Sequence, residues 1–129
     1  MSYYTRLRLA LEVADNASYV AAQRQDAEVT ATDDEYEVSR LIEAPTGAAF
    51  TLDLGMYTTI SLIIVHNLAA VAGEYVTIGW TNAAGTACTA RVYDSGYPLV
   101  LTDALAANDL TLLSSGAAVK ACRVSIIGT

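Results

Sequence analysis

The sequence contains few of the residues on which catalytic and metal sites most often depend. Its 129 residues include one histidine, His66, and two cysteines, Cys88 and Cys122. A zinc site needs several nitrogen or sulfur ligands close together. A nucleophile–histidine–acid arrangement would have to use His66 as its base, and neither Ser95 nor Ser114 lies in a G-x-S-x-G turn. We therefore predict a non-enzymatic protein without metal or cofactor, whose histidine is a hydrogen-bonded strand-end residue.

The low cysteine count also excludes a disulfide-dense secreted scaffold. Such scaffolds carry many more cysteines in a chain of this length. Cys88 and Cys122 are far apart in the sequence and form no C-x-x-C pair. We interpret them as two buried thiols that pack as small hydrophobic groups. A single disulfide between them is the alternative.

Charged residues are scarce, and basic residues are fewer than acidic ones. Charged residues make up 16% of the chain, seven of them Lys or Arg and fourteen Asp or Glu, for a formal net charge of −7. A nucleic-acid-binding surface needs a basic patch that displaces counterions from phosphates, and the basic residues here are scattered. We predict no direct nucleic-acid binding. The hydrophobic content of 53% indicates more apolar surface than one small monomer covers, which favours a homo-oligomer.

Long hydrophobic runs are missing as well. The aliphatic run Leu62–Val65 has four residues, whereas a membrane-spanning helix needs about 20. The segment "MSYYTRLRLALEV" alternates apolar and polar residues and contains no apolar core of a signal peptide. We expect a soluble protein that is not exported by the standard route and has no membrane partner.

The acidic run Asp33-Asp34-Glu35, with Glu37, has neither the glycine nor the spacing of a calcium loop. Adjacent carboxylates in one loop also do not face each other across a cleft, as glycoside hydrolysis requires. We interpret "TATDDEYEVS" as an exposed acidic loop that leads into a strand.

What the sequence has in abundance is period-2 alternation, the pattern of half-buried strands. Seven or eight such segments follow residue 35, among them "TISLIIVHNL", "EYVTIGWTN", "TACTARVYD" and "VKACRVSIIGT", separated by Gly, Pro or Asn. This spacing is typical of an all-β protein, an antiparallel β-sandwich or barrel. We predict a β-sandwich over residues 35–129, preceded over residues 1–34 by an N-terminal extended arm, or strand and loop. Within the arm, residues 16–29 fit either a short helix or an extended chain.

Alternation also predicts which side chains face the core. Trp80 shares a face with Val76 and Ile78, and we expect it to be buried. In the last strand, Cys122, Val124 and Ile126 share the inner face, with Lys120 and Arg123 to either side.

Four segments resemble small β-sandwich virion structural proteins of tailed bacteriophages. They are "TLDLGMYTTISLIIVHNL", "EYVTIGWTN", "DLTL" at residues 109–112 and "CRVSIIGT", together within residues 50–129. The resemblance implies a jelly-roll-like virion structural protein assembled in the host cytoplasm, as a capsid decoration (cement) protein that stabilises the head. A tail, neck, baseplate or fibre component with host-glycan binding is the alternative. The implied partners are further copies of the chain, as a trimer, and the major capsid protein or other virion proteins.

The predicted interaction residues fall into two groups. An extended arm gains main-chain hydrogen bonds by adding a strand to a neighbouring sheet. Aromatic side chains on an outer strand face are common in subunit contacts. The arm contributes Tyr3, Tyr4, Arg6 and Arg8, and the sandwich contributes Tyr75, Tyr93 and Tyr97.

Overall fold

The computed structural model describes residues 3–14, 21–33, 35–102 and 109–128, with side-chain surroundings for Arg8, 40–102 and 110–128. All regular structure in these residues is β-strand, and none of them forms a helix long and apolar enough to cross a membrane. The strands are β1 (Tyr3–Ala14), β2 (Ala21–Asp33), β3 (Glu35–Ala44), β4 (Phe50–Asp53), β5 (Ile60–Asn67), β6 (Tyr75–Thr81), β7 (Ala87–Tyr93), β8 (Leu99–Leu101), β9 (Asp109–Ser114) and β10 (Lys120–Gly128).

The first two strands pair with each other as an antiparallel hairpin, from Tyr3 opposite Asp33 to Ala14 opposite Ala21. From Ala21 onward, the segment that fitted either a helix or an extended chain is therefore extended. The prediction of an exposed loop over "TATDDEYEVS" is wrong, because β2 runs to Asp33 and β3 begins at Glu35. The β-branched residues of β2 favour a strand, and pairing with β1 outweighs the acidic composition. Residues 15–20 and Asp34 lie outside the described residues.

The other eight strands form two antiparallel four-stranded sheets, which confirms the predicted all-β sandwich. Their orders are β3-β10-β5-β8 and β4-β9-β6-β7. The pairing is nested: the first strand of the sandwich pairs with the last, the second with the second-to-last, and so inward to the hairpin β6–β7. Apart from the β6–β7 hairpin, each connection between consecutive strands within residues 35–128 passes from one sheet to the other. As a result, residues far apart in sequence meet across the sandwich.

Four of these connections lie at one end of the sandwich, which we call the four-loop end. In one sheet, Ala44 pairs with Lys120 and Asn67 with Cys122, and Leu99 lies further in, at the level of Val124. In the other sheet, Tyr93 and Ser114 pair with the neighbouring residues Tyr75 and Val76 of β6. The loops at this end are residues 45–49, 68–74, 94–98 and 115–119. Any side chain that points inward near these strand ends is close to all four loops.

The core lies between the two sheets and is built from the inward-facing row of each strand. Its fully buried members are aliphatic, and Cys122 packs among them. Trp80 packs against this cluster but is only half-buried. Strand β5 is central in its sheet, and Leu62 and Ile63, which point to opposite faces, are 4% and 1% exposed. The aliphatic run therefore lies in the middle of a sheet, buried on its inner face and at Leu62 on its outer face, where Ile64 is half-buried.

A Leu→Ala pair separates core packing from surface effects. Leu112 is fully buried in β9, whereas Leu41 in β3 is 65% exposed. We expect Leu112→Ala to lower the free energy of unfolding by about 3 kcal/mol, because it removes buried methyl groups and leaves a cavity. Leu41→Ala should change it by less than about 0.5 kcal/mol. Urea denaturation measures both values, and equal losses would contradict this assignment of the core.

Candidate functional site: the four-loop end of the sandwich

The inward-facing rows of four strands end in a polar residue at the four-loop end. In β5, Asn67 continues the row of Ile63 and Val65, and Ser114 ends the row of β9. Asp94, directly after β7, continues the inward-facing row of Val92. Lys120, at the start of β10, begins the inward-facing row that Cys122 continues. All four polar residues are buried. The apolar core therefore ends in a layer of buried polar groups beneath the loops.

The carboxylate of Asp94 is the centre of this layer, and its side chain is fully buried. The amide nitrogen of Asn67 donates to Asp94 Oδ1 at 2.6 Å and to the Val92 carbonyl at 3.0 Å. The backbone N–H of Val71 donates to Asp94 Oδ2 at 3.1 Å. Both carboxylate oxygens are thus held by donors from other parts of the chain.

Lys120 supplies the positive charge. Its Nζ lies 2.6 Å from Asp94 Oδ2 and 2.5 Å from Glu74 Oε2, and the lysine side chain is 2% exposed. Glu74 is about one-third exposed, so it connects the buried pair to the surface. A Cβ atom at Gly116 would overlap the Glu74 carboxylate, so a larger residue at 116 would require the Glu74 side chain to shift away from this position. We call Asn67, Glu74, Asp94 and Lys120 the polar network.

The network was not predicted from the sequence. Lys120 was predicted to lie to the side of the inner face of the last strand. This prediction is wrong, because Lys120 is buried on the inner face together with Cys122 and Val124. Arg123 is exposed on the opposite face. The signal that was missed is the alternation itself: Lys120 is two residues from Cys122, and residues two apart in a strand point to the same face. A lysine is tolerated in this row because two carboxylates reach it.

Backbone hydrogen bonds join the same loops. The amide of Leu68 donates to the Ala121 carbonyl at 2.9 Å, and the amide of Ser95 donates to the Ala69 carbonyl at 2.8 Å. The amide of Ser114 donates to the Pro45 carbonyl at 2.8 Å, which connects the remaining loop. The loops 68–74 and 94–98 are therefore bonded to each other, and the loops 68–74 and 45–49 are bonded to the strands that flank the loop 115–119.

The charges shift each other's pKa values. Burial acts to raise the pKa of Asp94, but hydrogen bonds from Lys120, Asn67 and the Val71 amide together outweigh it and hold that pKa below its ordinary value. Hydrogen bonds to Asp94 and then Glu74 raise the pKa of Lys120. As an ion pair, the network stabilises the fold between the unfolded-state pKa values of about 4 and about 10. It loses this contribution as pH falls through the folded pKa of Asp94 or rises through that of Lys120.

Above this layer the four-loop end is apolar. Of the eight large hydrophobic side chains that are exposed in the described part of the chain, two lie elsewhere, Leu41 and Met56. The other six lie in these loops or in the strand residues that border them: Phe50, Leu68, Val71, Tyr93, Tyr97 and Val119. Concentrated exposed apolar groups mark interaction surfaces.

Tyr75 and Tyr93 are direct cross-strand partners on the outer face of β6 and β7. Their ring centroids are 5.4 Å apart in an edge-to-face arrangement. The guanidinium of Arg91 lies 4.4 Å from the centroid of the Tyr75 ring, and a hydrogen bond with Tyr93 raises the pKa of Arg91. Tyr97 is 94% exposed. Tyr75 is therefore partly covered, whereas Tyr93 and Tyr97 are accessible.

The predicted arm residues are not brought to this surface by any described contact. Tyr3, Tyr4 and Arg6 lie in β1, and their side chains are outside the described ones. Arg8, also in β1, is exposed. Their role in interaction stays a prediction.

His66 and the cysteines are not among the side chains of the exposed apolar surface. His66 is half-buried, next to the end of β5 and opposite Arg123 in the register. Cys122 is buried, and burial, with the charge of Asp94, raises its pKa to about 11. Cys88 is half-buried rather than buried, and both thiols are free, so the disulfide alternative is wrong. In the part of the chain that the structure describes, no group of three His, Cys, Asp or Glu side chains is placed to hold a metal ion.

Removing one partner tests the polar network. Asp94→Ala leaves the Lys120 ammonium buried without its fully buried carboxylate partner, so we expect the free energy of unfolding to fall by about 3 kcal/mol. Glu43→Ala is the control, since Glu43 is exposed on β3, and it should change the value by less than about 0.5 kcal/mol. Denaturant unfolding at neutral pH gives both numbers. A loss below about 1 kcal/mol for Asp94→Ala would contradict the structural role of the network.

Comparison with known proteins adds no relative to this geometry. No protein-family model matches the chain, and no curated protein matches it. A function for the chain therefore has to be argued from its own residues: the buried polar network and the exposed apolar surface above it.

Proposed function

We propose that the protein is a non-enzymatic structural protein of a tailed-phage virion, acting as a capsid decoration protein that stabilises the head. The exposed apolar surface of the four-loop end is the observation that carries this proposal. Leu68, Val71, Tyr97 and Val119, which are 38%, 53%, 94% and 55% exposed, belong to three adjacent loops. The proposed occupant of this surface is another virion protein, the major capsid protein.

A rigid base favours such a role. Docking costs less free energy when the contact loops are ordered before binding. Here the loops that carry Val71 and Tyr97 are connected through Asp94, which accepts from the Val71 amide and itself contacts Lys120. The exposed side chains are thus presented on loops that the polar network holds in place.

The fold supports the resemblance to virion sandwiches. A jelly roll is a long hairpin rolled into two sheets, so its strands pair first with last and inward from there. The nested pairing of β3 with β10, β4 with β9, β5 with β8 and β6 with β7 is the observation that supports this part of the proposal. The segments that carry the resemblance lie on β4, β5, β6, β9 and β10.

The N-terminal segment is proposed to mediate contacts between copies, in a trimer. A two-stranded hairpin is marginally stable alone and needs further strands or a packed face. The β1–β2 hairpin has strands of 12 and 13 residues, longer than any strand of the sandwich. Adding this hairpin to the sheet of a neighbouring copy would supply that support.

One double variant and a single-site control test the docking surface. Val71→Ser with Tyr97→Ser should weaken binding to particles that lack this protein by at least about tenfold, which corresponds to about 1.4 kcal/mol. Met56→Ser is the control, because Met56 is 67% exposed but lies in the loop between β4 and β5, at the opposite end. Co-sedimentation of purified protein with such particles measures the affinities.

Unchanged binding of the double variant would contradict docking through the four-loop end. No binding of the wild type to particles, together with binding to glycans that Tyr97→Ser removes, would favour the second candidate, a tail or fibre component. The observation that keeps this candidate is the exposure of Tyr93 and Tyr97, 46% and 94%, since accessible aromatic rings can stack on sugars.

Removing the hairpin tests the proposed oligomer. Deletion of residues 1–34 takes away β1 and β2 and leaves the eight strands of the sandwich. We expect the full chain to form trimers and the shortened chain to be a folded monomer, as measured by light scattering after size-exclusion chromatography and by circular dichroism. A full chain that is monomeric at high concentration would contradict the proposal, and so would a shortened chain that remains a trimer.

A further inference from the structure

The polar network holds a primary amine and a carboxyl group in contact inside the sandwich, with a second carboxylate beside them. Stability alone does not explain this arrangement, because replacing a buried salt bridge by well-packed apolar residues often leaves the stability of a core unchanged or raises it. We propose that Lys120 and Asp94 become joined by an intramolecular amide bond, formed by the folded chain itself, with Glu74 as the proton carrier. This cross-link goes beyond the proposed virion role and does not depend on it.

The reacting groups are already positioned. Lys120 Nζ lies 2.6 Å from Asp94 Oδ2, so it is next to the carboxyl carbon that it would attack. Fixed proximity of this kind replaces much of the entropy cost of bringing two groups together. Both side chains are buried, 2% and 0% exposed, so bulk water does not compete at the site.

Donors surround the oxygen on which charge develops. When Nζ attacks the carboxyl carbon, the tetrahedral intermediate carries negative charge on Asp94 Oδ1. The amide nitrogen of Asn67 donates to that atom at 2.6 Å, and the Asn67 side chain is itself held by the Val92 carbonyl and the Ala69 amide. Preorganised donors of this type stabilise such intermediates.

Two proton transfers accompany formation of the amide bond. The ion pair first becomes neutral by transfer of a proton from Nζ to Asp94, and the shifted pKa values make this neutral pair the minor state. The lone pair of Nζ then attacks the carboxyl carbon. Glu74, 2.5 Å from Nζ, accepts a proton from the nitrogen and delivers it to Oδ2, which leaves as water. One C–N bond forms, one C–O bond breaks, and no oxidant or other reactant is needed.

Neighbouring residues favour the amine as the nucleophile and keep Glu74 in place. The thiol of Cys122 follows Lys120 in the same inward row, but its Sγ is directed at the Lys120 carbonyl, at 4.0 Å, whereas Lys120 Nζ contacts the Asp94 carboxylate directly. The absence of a side chain at Gly116 leaves the space in which Glu74 reaches the lysine. The product would link the start of β10 in one sheet to the end of β7 in the other, across the sandwich.

Mass spectrometry of the intact, denatured full chain tests the proposal. After folding and incubation, the wild type should be lighter than its sequence mass by one water molecule, and a digest should contain one branched peptide that includes both Lys120 and Asp94. Lys120→Arg and Glu74→Gln should keep the full sequence mass. Glu74→Gln is the informative variant, because the contact between Lys120 and Asp94 is retained. Glu43→Gln, on an exposed position of β3, should lose water like the wild type.

Two results would overturn the cross-link. One is a wild type that stays at its full sequence mass after prolonged incubation, which would leave the network as an ion pair only. The other is a loss of water that persists in Lys120→Arg, since an imide at Asp94-Ser95 gives the same mass change without the lysine. Neither result bears on binding to particles, which tests the proposed function separately.

Discussion

The burial of one positive charge, on Lys120, is the constraint on which the four-loop end depends. A buried ammonium has a large desolvation cost unless carboxylates and hydrogen bonds offset it. Here Asp94 lies 2.6 Å and Glu74 2.5 Å from its nitrogen, and each of these residues belongs to a different loop. Satisfying the lysine therefore fixes where the two loops lie, and Asn67 and the Val71 amide then complete the environment of Asp94.

Nested strand pairing makes this meeting possible. Asn67, Asp94 and Lys120 are far apart in sequence, but β5, β7 and β10 all reach the same end of the sandwich. Above the buried layer, the loops that the network positions carry the exposed side chains of Val71 and Tyr97. The same arrangement thus connects a polar interior, a rigid set of loops and an apolar surface suited to a partner.

Much of the sandwich follows from period-2 alternation, because inward and outward rows differ in polarity wherever one face is buried. Parity also indicates that Lys120 faces inward with Cys122. What alternation cannot supply is the register between distant strands, so the contact of Lys120 with Asp94 was not predictable from either segment alone. The second strand of the hairpin was missed for a related reason: its polar composition favoured a loop, and its pairing with β1 is a non-local contact.

The claim that Lys120 organises the four-loop end is tested most directly by amide hydrogen exchange in Lys120→Met. The amides of Ala69 and Val71 donate to Asn67 Oδ1 and Asp94 Oδ2, whereas those of Gly85 and Thr86 are bonded to Asn82 in the turn between β6 and β7, at the opposite end. In a folded Lys120→Met variant, Ala69 and Val71 should exchange at least about tenfold faster than in the wild type, with Gly85 and Thr86 unchanged. Unchanged exchange at Val71, or an equal increase at both ends, would contradict the account.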